Sequence, residues 1–381
     1  MKFVDIDGHI LEPSDLWINN LEPQYRGRAM RFVEDDQGLE SWTIDGEVHG
    51  KLVSSTSANL ATIGKSAEWR RENIFQNHTV SWEDGRAMAP GACDPHERIK
   101  LMDKEGIDVS FLFPSLGLSW PGRVRDRGLA AAYCRVYNDW MADFCHHYPQ
   151  RLLPCFLLPW TEVDDCVEEL KRTADLGPRA VMVPSSPPRD IAYGKGYWDP
   201  LWAEFQEQDT PLSLHPGSGG TSGTSILYPE LMMPSWWTFT ANGVDVLLGF
   251  LSFFQEAAFD RFPQLKMLVL ESGCAWMPWL LQRMDEKHQV LSFTTPMKLK
   301  PSEYFYRQCW IDMDPDDELG PVIINLLGAD KVMWAYDYPH SDSPVDPVVN
   351  LVKTLECLPE EDLRKVAGEN AINLYHLPMS E

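Results

Sequence analysis

Apolar positions in this chain gather into short unbroken runs separated by stretches with helical spacing. The first run opens at Phe3. Others follow at Val109–Pro114, Leu152–Pro159, Arg179–Pro184, Pro211–His215, Lys266–Glu271, Gln308–Met313 and Lys331–Asp337. Runs of this kind mark strands buried on both faces, as a parallel sheet requires; a sheet wet on one side alternates instead. Between the runs the spacing predicts helices over 95–105, 127–148, 162–175, 198–208, 243–262, 274–288, 316–328 and 346–356, and a terminal helix over 360–375. Asp94 before Pro95 reads as an N-cap with proline at the first helical position, and Gly106 as the stop. Eight strands alternating with helices favour an α/β architecture, the (β/α)8 TIM barrel, over a doubly wound sheet.

Residues 14–93 break this rhythm. Trp17, Trp42, Trp69 and Trp82 are scattered there among polar and turn residues. A long stretch without periodicity inside a compact domain is usually a functional cover. We therefore expect one barrel domain over 1–381, with 14–93 an insertion across its C-terminal face and a small hairpin near Glu40–His49. Exposed aromatics in that insertion would suit a homodimer.

Composition narrows the class. With 381 residues, 44% of them hydrophobic, and 15 tryptophans, there is material for a large core. The formal charge of −24, from 57 acidic and 33 basic residues, argues against nucleic acid or an anionic membrane as partner. Asp5 and Asp7 sit where the apolar core of a signal peptide would be, and no apolar run approaches the roughly 18 residues of a membrane helix. Eight cysteines are scattered without a CxxC pair, which reads as free thiols in a reducing, cytoplasmic setting.

Chemistry concentrates where strands end, the place a barrel keeps its reactive groups. Asp7 and His9 are two apart, so both leave one face of the first strand. The fifth run ends in His215, the sixth in Glu271 and the eighth in Asp337, followed by His340 and Asp342. A buried charge at a strand end is expensive unless paired or bound to a cation. Two imidazoles and several carboxylates, with no cysteine, suit one or two divalent ions such as Zn, Mn or Fe. Glu12 is placed to reach the site, to pair with an arginine or to cap a backbone turn. Arg179 starts its strand and reads as structural. Trp236, Trp237, Phe239 and Trp276 line a pocket or pack helices, and Gly217, Gly219, Gly220 and Gly223 make a loop beside His215.

These segments resemble the amidohydrolase superfamily, in the branch related to aminocarboxymuconate-semialdehyde decarboxylase. The resemblance rests on Asp7-Gly-His9, Asp94-Pro-His-Glu-Arg98, Met102 to Asp108, His215-Pro-Gly, Glu271 to Pro278, Asp337-Tyr-Pro-His340 and Asn370-Ala371. It implies Asp7, His9, His215 and Asp337 as metal ligands. Two departures stand out: Asp7 replaces the usual His or Glu, and Glu271 replaces the histidine linked to proton transfer in the decarboxylases. Glu271 is thus a candidate general base or an extra, bridging ligand, with His340 and Asp337 as further catalytic candidates. The resulting expectation is a hydrolase of a small ring-containing ester, lactone, amide or thioester, working through metal-activated water. A di-iron monooxygenase on the same scaffold is the first alternative and a non-oxidative decarboxylase the second, the missing histidine counting against it.

Overall fold

The computed structural model describes residues 1–34, 40–49, 62–77, 80–118, 120, 123–177, 179–188, 191–217, 236–295 and 297–378, with backbone alone at 41, 48, 49, 75 and 236–239. Eight strands run parallel in one sheet: β1 (Val4–His9), β5 (Val109–Phe113), β6 (Leu152–Phe156), β7 (Ala180–Pro184), β8 (Leu212–His215), β9 (Met267–Val269), β10 (Cys309–Met313) and β11 (Val332–Trp334). Their order in the sheet is their order in the chain. Two backbone hydrogen bonds bring the ends together: Asp337 N–H donates to the Asp7 carbonyl at 2.7 Å, and His9 N–H to the Tyr338 carbonyl at 2.6 Å. The result is a nearly closed (β/α)8 barrel. Nearly every strand residue is buried, as unbroken apolar runs demand.

The helices fall close to their predicted spans. Asp94 caps the helix Pro95–Glu105 by accepting from the N–H groups of His96 and Glu97, and Gly106 ends it at φ 82°. The helix expected over 243–262 is instead two, Trp236–Ser252 and Ala258–Arg261, parted where Ala257 turns left-handed at φ 53°. Pro301–Gln308 is a helix the spacing did not reveal, because it is too short for a clear period and runs straight into β10. The terminal segment is helical from Glu360 to Tyr375 through a π-helical stretch, Lys365–Glu369. Gly368 lies there against the Lys2 carbonyl, where a Cβ would clash.

Between β1 and β5, β2 (Arg31–Glu34), β3 (Glu40–Ile44) and β4 (Glu47–His49) form an antiparallel sheet. β3 and β4 make the expected hairpin. Its two-residue turn, Asp45-Gly46, has φ of 55° and 79°, the positive angles that match the twist of the strands. The insertion's tryptophans do not form an exposed patch: Trp17, Trp42 and Trp82 are buried and Trp69 is half-buried. The premise for a dimer built on them therefore fails. Side chains of this segment tie it to the barrel instead. Trp82 Nε1 donates to the Glu12 carbonyl at 3.0 Å, Arg86 Nε to that of Leu11 at 3.3 Å, and Arg70 to that of Ser341 at 2.5 Å. All three acceptors follow the C-terminal ends of β1 and β11.

Candidate active site and metal centre

Six of the residues singled out by the sequence meet at that face. His9 Nε2 lies 3.5 Å from Asp7 Oδ1 and 3.0 Å from Asp337 Oδ1. His215 Nε2 is 3.3 Å from Asp7 Oδ2 and 3.1 Å from Glu271 Oε2. His340 Nδ1 is 2.8 Å from Asp337 Oδ1, and its ring stacks on His9 with centroids 3.9 Å apart. His340 is therefore buried in the site, not a cap on the following helix.

The two strand histidines are oriented by backbone. His9 Nδ1 is 2.7 Å from the Pro114 carbonyl and His215 Nδ1 2.6 Å from that of Pro216. A carbonyl only accepts, so both Nδ1 atoms carry a proton and both Nε2 atoms are left facing the centre, where a cation would displace any proton they hold. There, Asp7 Oδ1 and Oδ2, His9 Nε2, His215 Nε2 and Asp337 Oδ1 are buried, close to one another but without a hydrogen bond of good geometry. Such atoms are rare in a folded protein and costly to leave bare. As hard oxygen and imidazole donors around one point, they fit a divalent cation of the Mn, Zn or Fe type. Asp7, His9 and His215 offer ligand atoms within 4.8 Å of one another, as do His9, Asp337 and His340.

Electrostatics agree with that fit. Burial pushes the His9 imidazole down, but Asp337 and then Asp7 outweigh it and hold the pKa at about 9. A proton sits where a cation would. Asp337 is pulled in two directions: burial raises its pKa, and His340 and His9 bring it well below the usual carboxylate range. Glu271 goes the other way. Burial, then the charges of Asp337, Asp7, Asp342 and Asp312, push it well above the ordinary value. Glu271 and Asp337 have φ of 48° and 59°, left-handed angles that cost a side-chain-bearing residue about 1–2 kcal/mol. The turn at each strand end aims the carboxylate into the mouth and is retained despite that cost.

Three supporting groups escaped the sequence reading. Asp312, at the end of β10, is 2% exposed; its Oδ2 accepts the Glu271 N–H at 2.9 Å and its Oδ1 has no partner. It interrupts an apolar run as the others do, and that signal was available. Asp5 and Arg98 form a buried layer behind the site: Asp5 accepts from Ser110 Oγ at 2.6 Å and Tyr336 N–H at 2.9 Å, and Arg98 donates to the His9 carbonyl at 3.0 Å. Gly8 makes room for this layer, since a Cβ there would meet Arg98, Asp5 and Ser110. Glu12 proves to be a backbone cap. Its carboxylate accepts from the N–H groups of Ser115, Leu116 and Gly117, the last at 2.8 Å. Arg179 bonds the carbonyls of Ala174 and Gly177, away from the site. Trp276 packs against Phe250 and donates to the Ser272 carbonyl. The side chains of Trp236, Trp237 and Phe239, and Gly219, Gly220 and Gly223, lie outside the described residues; Gly217, at φ 100°, lies against Leu118.

A parallel barrel with imidazole and carboxylate ligands at its C-terminal mouth defines a metal-dependent barrel enzyme. The chain belongs to the amidohydrolase family, whose profile matches residues 4–377. Within it the chain falls in the branch related to aminocarboxymuconate-semialdehyde decarboxylase. It is 26% identical over 292 residues to gamma-resorcylate decarboxylase of Rhizobium sp., covering 74% of this chain and 86% of that one. With 2-amino-3-carboxymuconate-6-semialdehyde decarboxylase of Dictyostelium discoideum it shares 23% over 306 residues, 77% of this chain and 79% of the other. Among solved structures, an amidohydrolase from Mycobacterium avium subsp. paratuberculosis superposes with a TM-score of 0.81 at 21% identity, over 98% and 99% of the two chains. 5-Carboxyvanillate decarboxylase of Novosphingobium aromaticivorans, solved with manganese and 4-hydroxy-3-methoxy-5-nitrobenzoic acid, gives 0.70 at 19% over 99% and 96%.

These relatives overturn the expectation of a hydrolase, and with it the di-iron oxygenase: they are non-oxidative decarboxylases. The physical reason lies at Glu271. The sequence reading counted the missing histidine as a missing proton donor and took a carboxylate there for a base. Surrounded by carboxylates and buried, Glu271 has its pKa pushed up, the direction that suits a proton donor better than a base.

Proposed function

We propose that this protein is a divalent-metal-dependent, non-oxidative decarboxylase of a hydroxylated aromatic or similarly unsaturated carboxylic acid. The observation that carries the reading is the placement of Glu271, a carboxyl group whose pKa is pushed up by burial and by the carboxylates around it, beside a cluster of buried cation-ligating atoms. Asp7, His9, His215 and Asp337 would hold the cation; manganese in a decarboxylase of the same fold supports this choice. When bound, the cation supplies fixed positive charge for the substrate's carboxylate and a neighbouring oxygen.

The chain's own residues do the rest. Pro114 and Pro216, through their carbonyls, keep His9 and His215 facing the centre. His340 fixes Asp337 from the far side. Glu271 delivers its proton to the carbon that bears the carboxylate: a C–H bond forms as the O–H bond breaks. The C–C bond then cleaves, its electron pair restores the unsaturation, and carbon dioxide leaves. Glu271 regains a proton from solvent through the cleft beside it. One proton enters and one carbon dioxide departs, so neither hydrolytic water nor an oxidant is consumed. All eight cysteines are free thiols, which supports a reducing, cytoplasmic setting.

The test is turnover of a panel of hydroxybenzoates by manganese-reconstituted protein in deuterated water. The expected result is carbon dioxide release with one deuterium at the carbon that lost it. Glu271→Gln should retain the metal and lose about 10²–10⁴ in kcat, the usual worth of a positioned acid. Hydrolysis of an ester or amide panel with no carbon dioxide from any acid would refute the proposal.

A further inference from the structure

A cleft of about 300 Å³ opens beside the metal centre and shares Glu271 and Asp337 with it. Any molecule reaching Glu271 from this side lies in that cleft. Its walls are unusual for an enzyme whose substrate is an acid. Besides Glu271 and Asp337 they carry Asp314, Asp316 and Asp342, with Asn242 among the remaining polar side chains. Asp314, Asp316 and Asp342 are exposed to it, while Glu271 and Asp337 are 20% and 14% exposed at its base. No lysine or arginine is among the described residues that line it. Arg70, whose charge acts on Asp342, is engaged by Thr62 and the Ser341 carbonyl. The stretch 218–235 that follows His215 contains no basic residue in its sequence.

A second feature points the same way. Asp312 lies directly behind Glu271 and is almost wholly buried, yet its Oδ1 has no partner. Burial, then Asp314 and Asp7, push its carboxyl well above the usual range, and it brings no basic group to the rear of the cleft. A second anionic group on a substrate would face carboxyl groups here and, among the described lining residues, no basic side chain. A protonated amine or a set of hydroxyl donors would find acceptors it could satisfy.

We propose that this cleft is the specificity pocket for the part of the substrate that does not react, and that it selects a carboxylic acid whose other end carries a cationic amine or several hydroxyl donors, rejecting diacids. The inference rests on the decarboxylase reading only for the placement of the reacting carboxylate at the metal.

The test measures binding, so it does not depend on turnover. Manganese-loaded protein is titrated calorimetrically with 2-hydroxybenzoates that carry an aminomethyl, a hydroxymethyl or a second carboxylate group at ring position 4 or 5. The aminomethyl compound should bind at least about tenfold tighter than the diacid, as like-charge juxtaposition requires. Asp314→Asn combined with Asp316→Asn should bring that ratio towards one. In the unmutated protein, salt near 1 M, where the Debye length is roughly 3 Å, should shrink it as well, which keeps the test valid if the variant misfolds. A diacid that binds as tightly as the amine, a preference indifferent to both salt and the substitutions, or no binding by any of the three would overturn the assignment. The cationic preference without carbon dioxide from any compound would refute the decarboxylase reading and leave the cleft assignment standing. Carbon dioxide release with the diacid preferred would do the reverse.

Discussion

Glu12 shows how one carboxylate can organise a site it does not enter. Its three backbone donors belong to the turn 115–117, which begins just after the Pro114 carbonyl that orients His9. The same turn carries Ser115, whose Oγ lies 3.5 Å from His340 Nε2. Glu12→Gln places an amide donor against N–H groups, and a buried donor left unpaired costs about 1–3 kcal/mol. We expect a lower Tm and manganese affinity weakened by about 10–100-fold, the loss typical when the partner that orients a ligand is disturbed. Metal titration checks it, and unchanged affinity would sink the positioning role. Asp7→Asn acts at the centre itself and should abolish stoichiometric metal with the fold intact, read by elemental analysis and circular dichroism.

The element that most depends on the site's rear layer is the helix Pro95–Glu105. Arg98 reaches from it through the barrel wall to the His9 carbonyl and Ser110 Oγ, 3.9 Å from Asp5 and over the Tyr338 ring. One buried guanidinium thereby ties that helix to β1, β5 and the loop after β11. Removing one partner of a buried pair leaves the other bare, so Arg98→Met should cost about 3–5 kcal/mol. Adding Asp5→Asn should return part of that loss, which a double-mutant cycle in urea measures. If the two single losses simply add, the pair is not coupled. Helix and strand positions were legible because burial on both strand faces and caps such as Asp94 and Gly106 are local properties of the chain. The helix Pro301–Gln308 was not, being under three turns and stabilised by packing.

For the whole molecule, the site's charge makes stability depend on pH. Burial raises the Asp5 carboxyl to about 6, only partly offset by Arg98, and Asp337 and Asp7 hold His9 at about 9 against burial. Both groups bind a proton more tightly folded than unfolded. Stability from Asp5 is present below about pH 4 and lost through 6; that from His9 is present below about 6.5 and lost through 9. Metal-free protein should therefore show a Tm that falls from about pH 5 to 9. Bound manganese replaces the proton at His9 and should raise and flatten the curve above about pH 7. A metal-free Tm that rises across this range, followed by scanning calorimetry, would contradict the charge assignment.

From the sequence alone the barrel could be read, because eight doubly buried strands admit few arrangements. The residues at its mouth could be read too, because each polar residue breaks an apolar run at a strand end. The linear chain could not reveal the upward shift of the Glu271 pKa. That is set by Asp7, Asp312, Asp337 and Asp342, brought around it from three other strand ends, and by the burial they share. A carboxylate in isolation reads as a base. Only the assembled mouth, with its carboxylates drawn together, pushes that group's pKa up.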